Sequence, residues 1–431
     1  MTRMETPSRM AGNRSAAAVE QVLTIEALDA GGDGLATEGV NVPLSLPGER
    51  ILARVAAGRG EIVKILQPSG ERITAPCPHF GECGGCALQH WASGPYLAWK
   101  VERIARALAR EGIDTEILAP IVARPAARRR LALHARRHGK DVALGLKARR
   151  SWRVVDLATC AIAQPGLVAA LPALRRLAGP LLEHPRSAPT LHVTATETGL
   201  DVDISGIDRA TGGLSASARL AVARAATAAD MARVTLAGEI VYQSRPALVR
   251  LGPAVVVLPP GAFLQASAAA ESAMAAFVVQ AAAGARAIAD LYCGVGTFTF
   301  PLAALAPVMA ADASAAAIGA LRAAISSAPG LRPIAAEVRD LDRRPVLTRE
   351  LARFDVVVFD PPRAGAAAQT AQIAASSLAR AIAVSCNLQT FVRDARTLVD
   401  AGFTLQRLLP VDQFLWSPHI ELVGVFSREA G

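Results

Sequence analysis

The sequence predicts an α/β protein whose C-terminal part is a doubly wound parallel sheet. From Ser267 onward, short apolar runs alternate with helical patterns, as in strands that are buried between two layers of helices. The predicted strands are Ala287–Leu291, Val308–Ala311, Phe354–Phe359 and Ala381–Ser385. Two closing runs, Thr404–Pro410 and Glu421–Phe426, lie close enough in sequence to pair antiparallel. The sheet is assigned to residues 267–431.

Two further domains precede this sheet. Residues 21–67 contain short β-type runs separated by glycine-rich turns and predict a small antiparallel β-barrel, which follows a flexible tail at residues 1–20. Residues 68–266 mix strand-like and helical runs and predict a central α+β domain. Small barrels often bind oligonucleotides, so both a nucleic-acid contact and a passive role are open for this one.

Composition excludes several classes of protein. The 431 residues are 52% hydrophobic, which is enough for two or three folded cores. No apolar run reaches the roughly 18 to 20 residues that cross a bilayer, and the basic N-terminus has no apolar stretch behind it. We therefore expect a cytoplasmic protein without a membrane span. The six cysteines are then expected as ligands or nucleophiles rather than as disulfides.

A glycine turn ends the first strand of the predicted sheet. In Asp290-x-x-x-Gly294-x-Gly296 the glycines let the backbone approach a ligand at the carboxyl end of the strand. Asp312 ends the next strand, where a carboxylate accepts hydrogen bonds from ribose hydroxyls. The dinucleotide-binding fingerprint has a third glycine after these two, but this chain continues with Thr297 and lacks that glycine. This pattern favours S-adenosylmethionine over NAD, and a turn without a ligand is the alternative.

The motif Asp360-Pro-Pro-Arg363 follows a further strand and directs Asp360 into the same crevice. The two prolines stiffen the loop, so the carboxylate becomes a fixed hydrogen-bond acceptor. Asp-Pro-Pro also occurs in amino-group methyltransferases, where an aromatic residue usually follows. Arg363 at that position argues against amino-group chemistry.

Cys386 ends the next strand, directly before a predicted helix, and the helix dipole is expected to lower the pKa of its thiol. Carbon-5 of uracil is a poor nucleophile. Addition of a thiolate to carbon-6 makes an enolate whose carbon-5 can attack a sulfonium methyl group. A base must then remove the carbon-5 proton, and Glu421 at the start of the last strand is the candidate. A structural cysteine and a surface glutamate are the alternatives.

A second set of cysteines has the spacing of metal ligands. Cys77-x5-Cys83-x2-Cys86 is interleaved with glycines, and Cys160 follows about seventy residues later. Four thiolates suit either a [4Fe-4S] cluster or structural zinc. A zinc site usually shows two close pairs, so three clustered cysteines and one distant cysteine favour the iron–sulfur cluster. Free thiols are the remaining alternative.

Together these residues resemble the S-adenosylmethionine-dependent RNA 5-methyluridine methyltransferases, in particular the iron–sulfur-containing ribosomal RNA branch. The resemblance runs from Val22 to Arg428 and implies a Rossmann-like catalytic domain behind a TRAM-like barrel. It assigns Cys386 as nucleophile, Glu421 as base, and the four cysteines above as cluster ligands. The cofactor positions that it matches, together with the two turn glycines, are Gln265, Tyr292, Gly294, Gly296, Thr297, Asp312, Asp340 and Asp360.

The resemblance implies methyl transfer from S-adenosylmethionine to carbon-5 of a specific uridine, expected in 23S ribosomal RNA, through a covalent bond between Cys386 and carbon-6. Uridine-54 of transfer RNA and a non-catalytic iron–sulfur RNA-binding protein are alternatives. Cytosine methylation is disfavoured because that chemistry usually places a second cysteine where this chain has Arg363. Leu388 replaces the family's usual proline, and the motif from Trp416 to Glu421 is less histidine-rich, which leaves the RNA site open.

RNA is the expected partner, and the chain is expected to act as a monomer. The net charge of +9 reflects 46 Lys and Arg against 37 Asp and Glu, and a generally basic composition explains part of it. The first candidates for phosphate contacts are Arg128, Arg129, Arg130 and Arg136, within a group that also contains Arg124, Arg137, Arg149, Arg150 and Arg153. Trp91, Trp99 and Trp152 are candidates for base stacking, although buried packing is the expectation for each.

Overall fold

The structure is a computed structural model that describes residues 18–207 and 213–429. The chain divides into two compact units. Of the described residues, the first unit holds 18–74 together with His90–Ala92, and the second holds Ala75–Gln89, 93–207 and 213–429. The first 17 residues of the predicted tail lie outside the described ranges. Across those ranges, no helix is long and apolar enough to cross a membrane.

The first unit contains a closed barrel of five strands, which confirms the predicted small barrel. Its strands are β1 (Val19–Leu28), β2 (Gly34–Ala36), β3 (Asn41–Val42), β4 (Arg50–Ala56) and β5 (Arg59–Gln67). They follow the order β1-β2-β3-β5-β4, and side chains such as Leu23, Ile25 and Ile51 alternate inward to form the core. The pairing is antiparallel except between β3 and β5, which run parallel, so the purely antiparallel prediction is wrong at that pair.

The second unit begins with α1 (Ser93–Arg110) and two short strands, β6 (Glu116–Ile117) and β7 (Ile121–Val122). A seven-stranded sheet follows, in the order β10-β9-β8-β11-β12-β13-β14. Its strands are β8 (Arg130–His138), β9 (Asp141–Lys147), β10 (Val154–Asp156), β11 (Thr190–Thr196), β12 (Gly199–Ser205), β13 (Arg233–Leu236) and β14 (Glu239–Gln243). The helices between them are α2 (Pro165–Ala169), α3 (Leu171–Ala178) and α4 (Ala216–Ala228). Alternate side chains such as Leu133, Leu144 and Val193 pack with the leucines of α3 to form one core.

The hairpin of β15 (Leu248–Leu251) and β16 (Ala254–Val257) leads to a nine-stranded sheet. The sheet order is β19-β18-β17-β20-β21-β23-β22-β6, with β7 also paired to β22. Its remaining strands are β17 (Ile288–Leu291), β18 (Val308–Asp312), β19 (Ile334–Val338), β20 (Val356–Phe359), β21 (Arg380–Ser385), β22 (Thr404–Asp412) and β23 (Glu421–Ser427). The helices are α5 (Ala268–Ala281), α6 (Thr299–Ala303), α7 (Ala315–Ile325), α8 (Thr348–Leu351), α9 (Ala367–Ala374) and α10 (Leu388–Asp400).

This sheet confirms the predicted parallel strands and the antiparallel pair β22 and β23. Strand β19 was not predicted, because it forms the sheet edge and its side chains are half-buried or exposed. The predicted boundary at residue 267 also differs from the structure. Helix α1 packs Ile104 and Leu108 into the core of the nine-stranded sheet, and β6 pairs with β22. Residues 93–122 therefore belong with the C-terminal sheet, although they precede the central sheet in sequence.

Candidate active site

A cavity of about 630 Å³ lies where the parallel strands of the nine-stranded sheet end. Carboxyl ends of parallel strands meet at one edge of a sheet, and loops from β17, β18, β20 and β21 therefore converge there. The cavity is lined by both predicted reactive residues and by seven of the eight predicted cofactor residues: Cys386, Glu421, Gln265, Tyr292, Gly294, Thr297, Asp312, Asp340 and Asp360. Gly296 is not on the lining. It has a φ of +104°, and a Cβ there would meet the Phe300 ring at 2.5 Å, so its role is to form the turn.

The glycine turn is held by Asp312. Its Oδ2 accepts a hydrogen bond from the Gly294 N–H at 2.9 Å, and its Oδ1 accepts one from the Ser314 N–H at 2.7 Å. A carboxylate has about four acceptor positions, so both oxygens keep capacity for ribose hydroxyls. Asp312 therefore fixes the backbone of the turn and also presents an acidic wall to the cavity.

Cys386 and Glu421 face each other across two neighbouring strands. Ser385 of β21 pairs with Leu422 of β23 in antiparallel register, so the next residues outward, Cys386 and Glu421, are opposite each other. Burial and the nearby Glu421 carboxylate raise the pKa of the Cys386 thiol, and a hydrogen bond from Arg363 only partly offsets this. The prediction of a lowered pKa is wrong, because loss of water and a facing carboxylate outweigh the start of α10.

A hydrogen-bonded chain of two amides joins the buried carboxyl groups. Gln413 donates from Nε2 to Glu421 Oε2 and to Gln265 Oε1, each at 2.7 Å. Gln265 donates in turn to Asp360 Oδ2 at 3.1 Å. Burial raises the pKa of Glu421 to about 8, with Asp360 adding to the effect, and burial raises the pKa of Asp360 to about 7. At neutral pH the pair therefore holds protons that exposed carboxyl groups would have lost.

Helix α1 fixes the segment that leads to Glu421. The fully buried Lys100 donates from Nζ to Asp412 Oδ1 at 2.7 Å and to the His419 carbonyl at 2.6 Å. Tyr96 donates to Asp412 Oδ2 at 2.6 Å and accepts from the Trp416 N–H. This network was not predicted from the sequence. The available signal was the four-residue spacing that puts Tyr96 and Lys100 on the same face of α1 as Ile104.

Comparisons with known proteins bear on what this site does. Residues 254–429 match the sequence profile of the tRNA (uracil-5-)-methyltransferase family. An uncharacterized RNA methyltransferase of Caulobacter vibrioides is 62% identical over 414 residues, which cover 95% of this chain and all of that protein. The 23S rRNA (uracil(1939)-C(5))-methyltransferase RlmD of Pseudomonas savastanoi is 33% identical over 95% of this chain and 94% of its own. The chain belongs to this family of RNA methyltransferases.

A solved structure shows the same fold. The tRNA (uracil-54, C5)-methyltransferase of Pyrococcus abyssi, in complex with S-adenosyl-L-homocysteine, superposes with a TM-score of 0.73. It is 21% identical and covers 94% of this chain and all of that one. The expectation that the chain is an enzyme of the RNA methyltransferase class is confirmed, and so is the α/β methyltransferase fold.

Three neighbouring arginines of this methyltransferase have different surroundings. Arg128 and Arg130 line the cavity, and burial lowers the pKa of Arg130 to about 10. Arg129 points away into the core, where it is 5% exposed and pairs with Glu271 at 2.5 Å. Arg129 is therefore a structural residue, and the prediction that it contacts RNA is wrong. Arg136 lies half-buried on the face of β8 that points away from the helices.

Arg363 also lines the cavity of the methyltransferase, beside Cys386. One of its Nη atoms lies 3.1 Å from Nε2 and 3.2 Å from Nδ1 of His419. Burial and the charges of Arg363 and Lys100 lower the pKa of His419 to about 4, so the ring is neutral and can accept a hydrogen bond. In the sequence, Arg363 argues only against other chemistries, and its position beside the thiol was not predicted.

The four predicted cluster cysteines are free and half-buried. Burial raises the pKa of Cys83 and Cys86, the latter to about 12, and the other thiols of the set, including the distant Cys160, raise both further. The fold thus brings the four thiols into one neighbourhood. Within residues 18–207 and 213–429, no three His, Cys, Asp or Glu side chains converge closely enough to hold a single metal ion. A [4Fe-4S] cluster and structural zinc both take four thiolates, so the chemistry of this donor set fits either group.

Proposed function

We propose that this methyltransferase modifies carbon-5 of a uridine in RNA, with S-adenosylmethionine as the methyl donor. The observation that carries the proposal is the position of Cys386 opposite Glu421 in the cavity that the Gly294 turn and Asp312 also line. The volume of about 630 Å³ falls in the range of small-molecule sites. Tyr292, Asp312 and Asp340 would hold the donor, which supplies an electrophilic methyl group when bound.

In the proposed reaction the residues of the site act one after another. The Cys386 thiolate forms a bond to carbon-6, and the electron pair of the C5–C6 double bond moves to the carbonyl oxygen at carbon-4. Carbon-5 of this enolate would take up the methyl group as the sulfur–methyl bond of the donor breaks, with the electron pair of that bond left on sulfur in S-adenosylhomocysteine. Glu421 removes the carbon-5 proton, the double bond re-forms, and the carbon–sulfur bond breaks to release the thiolate. Arg363, beside the sulfur, favours the thiolate that begins and ends this cycle.

Trapping on RNA that contains 5-fluorouridine tests the mechanism. Fluorine at carbon-5 cannot leave as a cation, so after methyl transfer the adduct persists through denaturing electrophoresis. We expect an adduct with the wild-type enzyme and S-adenosylmethionine, and none with Cys386→Ala. Cys293→Ala is the matched control, because this second cysteine of the cavity lining is not opposite Glu421. An adduct that survives in Cys386→Ala would refute the assignment.

For the substrate, we propose a uridine of 23S ribosomal RNA, in the cytoplasm. The full-length similarity to the Pseudomonas 23S rRNA methyltransferase supports this target. A uridine of transfer RNA is the second candidate, and the family profile favours transfer RNA without naming the position. Mass spectrometry of 5-methyluridine in separated ribosomal and transfer RNA, from cells with and without the gene, decides between them. Loss of the mark from transfer RNA alone would overturn the ribosomal assignment.

We also propose that Cys77, Cys83, Cys86 and Cys160 hold a [4Fe-4S] cluster with a structural role. The segment that ends in Cys86 continues into Ala87 and Leu88, whose N–H groups both donate to the Trp416 carbonyl. The cysteine segment thereby supports the loop before Glu421. Iron and sulfide content and visible absorption of anaerobically purified protein test the proposal. We expect both signals to be lost in Cys160→Ser and kept in Cys293→Ser, and an iron-free wild-type protein would contradict it.

A further inference from the structure

The seven-stranded sheet has one face that is not covered by its helices. Residues of β8 alternate between the core and this outer face, which carries Arg130, His134 and Arg136. Lys147 of β9 and His192 of β11 lie in the same region as His134. Burial is the largest cause that lowers the pKa of His134, and Lys147, Arg136 and His192 lower it further. The outer face therefore carries a group of basic side chains on β8, β9 and β11, with Asp201 and Asp203 of β12 beside His192. We call it the basic face, defined by Arg130, His134, Arg136, Lys147 and His192.

One end of the basic face carries an exposed indole. Trp152 is 79% exposed, more than any other large hydrophobic side chain in the described ranges. Lys147 Nζ lies 3.8 Å from the centre of its ring, so a cation covers part of the indole surface. Packing inside the protein was the sequence-based expectation for this tryptophan, and it is wrong. An exposed indole beside a cation has the chemistry on which an unpaired nucleic-acid base stacks.

The loop that carries Trp152 is fixed in place. Ala148 donates its N–H to the Arg153 carbonyl at 2.7 Å, which closes the loop between β9 and β10. The cysteine segment pairs with its base, since the Gly84 N–H donates to the Lys147 carbonyl at 2.9 Å and the Arg149 N–H donates to the Glu82 carbonyl at 3.2 Å. A Cβ at Gly84 would lie 2.9 Å from that Lys147 oxygen, so glycine permits the close approach. Trp152 is thus presented on a preformed platform, which lowers the entropy cost of binding.

The end of the basic face near Lys147 and Trp152 also meets the active site, because the register of β8 and β9 puts Lys147 opposite Ala132, two residues from Arg130. Arg130 lines the cavity, and its guanidinium carbon lies 4.7 Å from the centre of the Phe263 ring. Phe263 also lines the cavity and is 67% exposed. A polar pocket of about 210 Å³ adjoins this end, with Arg128, Arg130 and His192 in its walls together with Asp201 and Asp203. Lys147 and Arg130 therefore place positive charge between the Trp152 platform and the cavity.

We infer that Trp152 is a stacking site for an unpaired base of the RNA substrate, and that Lys147 and Arg130 of the basic face guide the RNA strand from this site to the cavity. Single-stranded nucleic acids are held by aromatic rings that stack on bases and by cations that follow the backbone, and both are present at this end of the sheet. The inference rests on the proposed RNA substrate but not on the methyl-transfer mechanism, because binding is measured without the donor.

Fluorescence anisotropy with the full-length protein and a 5′-labelled twelve-residue oligouridylate tests the inference. We expect Trp152→Ala to weaken binding by roughly five- to hundredfold, which is the range of one lost base stack. Trp152→Phe should restore most of the affinity. Ile240→Ala is the matched control, because Ile240 is an exposed apolar residue on β14, at the opposite edge of the same sheet. It should bind as the wild type does.

The salt dependence separates stacking from charge. Trp152→Ala should keep the slope of log affinity against log salt concentration, whereas Lys147→Ala should reduce it by about one. Equal affinity of Trp152→Ala and wild type, at an unchanged melting temperature, would overturn the inference. So would an equal loss of binding to a blunt RNA duplex, or failure of the wild type to bind the oligouridylate. A 5-fluorouridine adduct that still formed in these cases would leave the proposed mechanism intact.

Discussion

Gln413 donates a 2.7 Å hydrogen bond to Glu421, and this places a neutral amide between the proposed base and Gln265. The Gln413 carboxamide is 4% exposed, and its oxygen accepts the Ala266 N–H at 2.9 Å, so its orientation is fixed. The hydrogen bond favours the charged form of Glu421, while burial and Asp360 oppose it. Gln413 is therefore a positioning residue that sets both the direction and the basicity of the carboxylate.

Replacement of Gln413 by leucine tests this relationship. Loss of the donor should raise the pKa of Glu421 above about 8, because a bond to its charged form is removed. We expect kcat to fall roughly 10- to 100-fold and the pH–rate profile to move to higher pH. Steady-state methylation across pH measures both effects. A lower kcat with an unshifted profile would mean that Gln413 acts only through packing.

The pH dependence of the wild-type enzyme follows from two raised pKa values. Glu421 must be ionised to accept a proton, and Cys386 must be a thiolate to attack carbon-6. Because burial raises the pKa of both groups, kcat/KM should rise with pH from about 6 to above 8. A single-turnover pH profile checks this. A rate that is flat between about pH 6 and 8 would contradict the proposed roles.

Glu421→Gln separates catalysis from stability. The folded protein keeps a proton on Glu421 that the unfolded chain loses above its ordinary pKa of 4.5, so wild-type stability falls as pH rises from 4.5 to about 8. The variant lacks this penalty. Its melting temperature should therefore exceed that of the wild type by an amount that grows over this interval and then stays constant. Without a base it should also accumulate the methylated covalent adduct on ordinary RNA, seen as a shifted band on a denaturing gel.

The sequence predicted the parts of the site that lie next to strand ends. Cys386, Asp312 and Asp360 each follow an apolar run, and the rule that parallel strands end at one edge brings them together. The amide chain through Gln413 could not be predicted, because it depends on side-chain contacts between residues about 150 positions apart. The pKa of Cys386 was predicted with the wrong sign for the same reason. The carboxylate that faces Cys386 belongs to Glu421 of β23, which is distant in sequence, whereas the start of the following helix is visible next to Cys386 in the sequence.

Lys100→Met tests the support from α1. The ammonium group is fully buried against Asp412, and burial lowers its pKa to about 8. Its removal leaves the Asp412 carboxylate buried without a counter-charge, although the hydrogen bond from Tyr96 stays in place. The free energy of unfolding should therefore fall by about 3 to 5 kcal/mol. Denaturant unfolding measures this loss. Lys100→Met with Asp412→Asn should recover part of it, and a double variant no more stable than the single one would show that the charge pair is not the cause.

The three adjacent arginines give a matched comparison of RNA contact and structural roles. Arg128 and Arg130 line the cavity, whereas Arg129 pairs with Glu271 in the core. Arg128→Ala should lower RNA affinity and reduce the slope of log affinity against log salt by about one, because one phosphate contact is lost. Arg129→Ala should keep that slope and lower the melting temperature instead, because burial already raises the pKa of Glu271 and its charged partner is gone. Binding titrations between about 50 and 200 mM salt, with melting curves of the same samples, measure both. If Arg129→Ala reduced the slope at an unchanged melting temperature, Arg129 would be an RNA contact and its buried pairing with Glu271 would not describe the protein in solution.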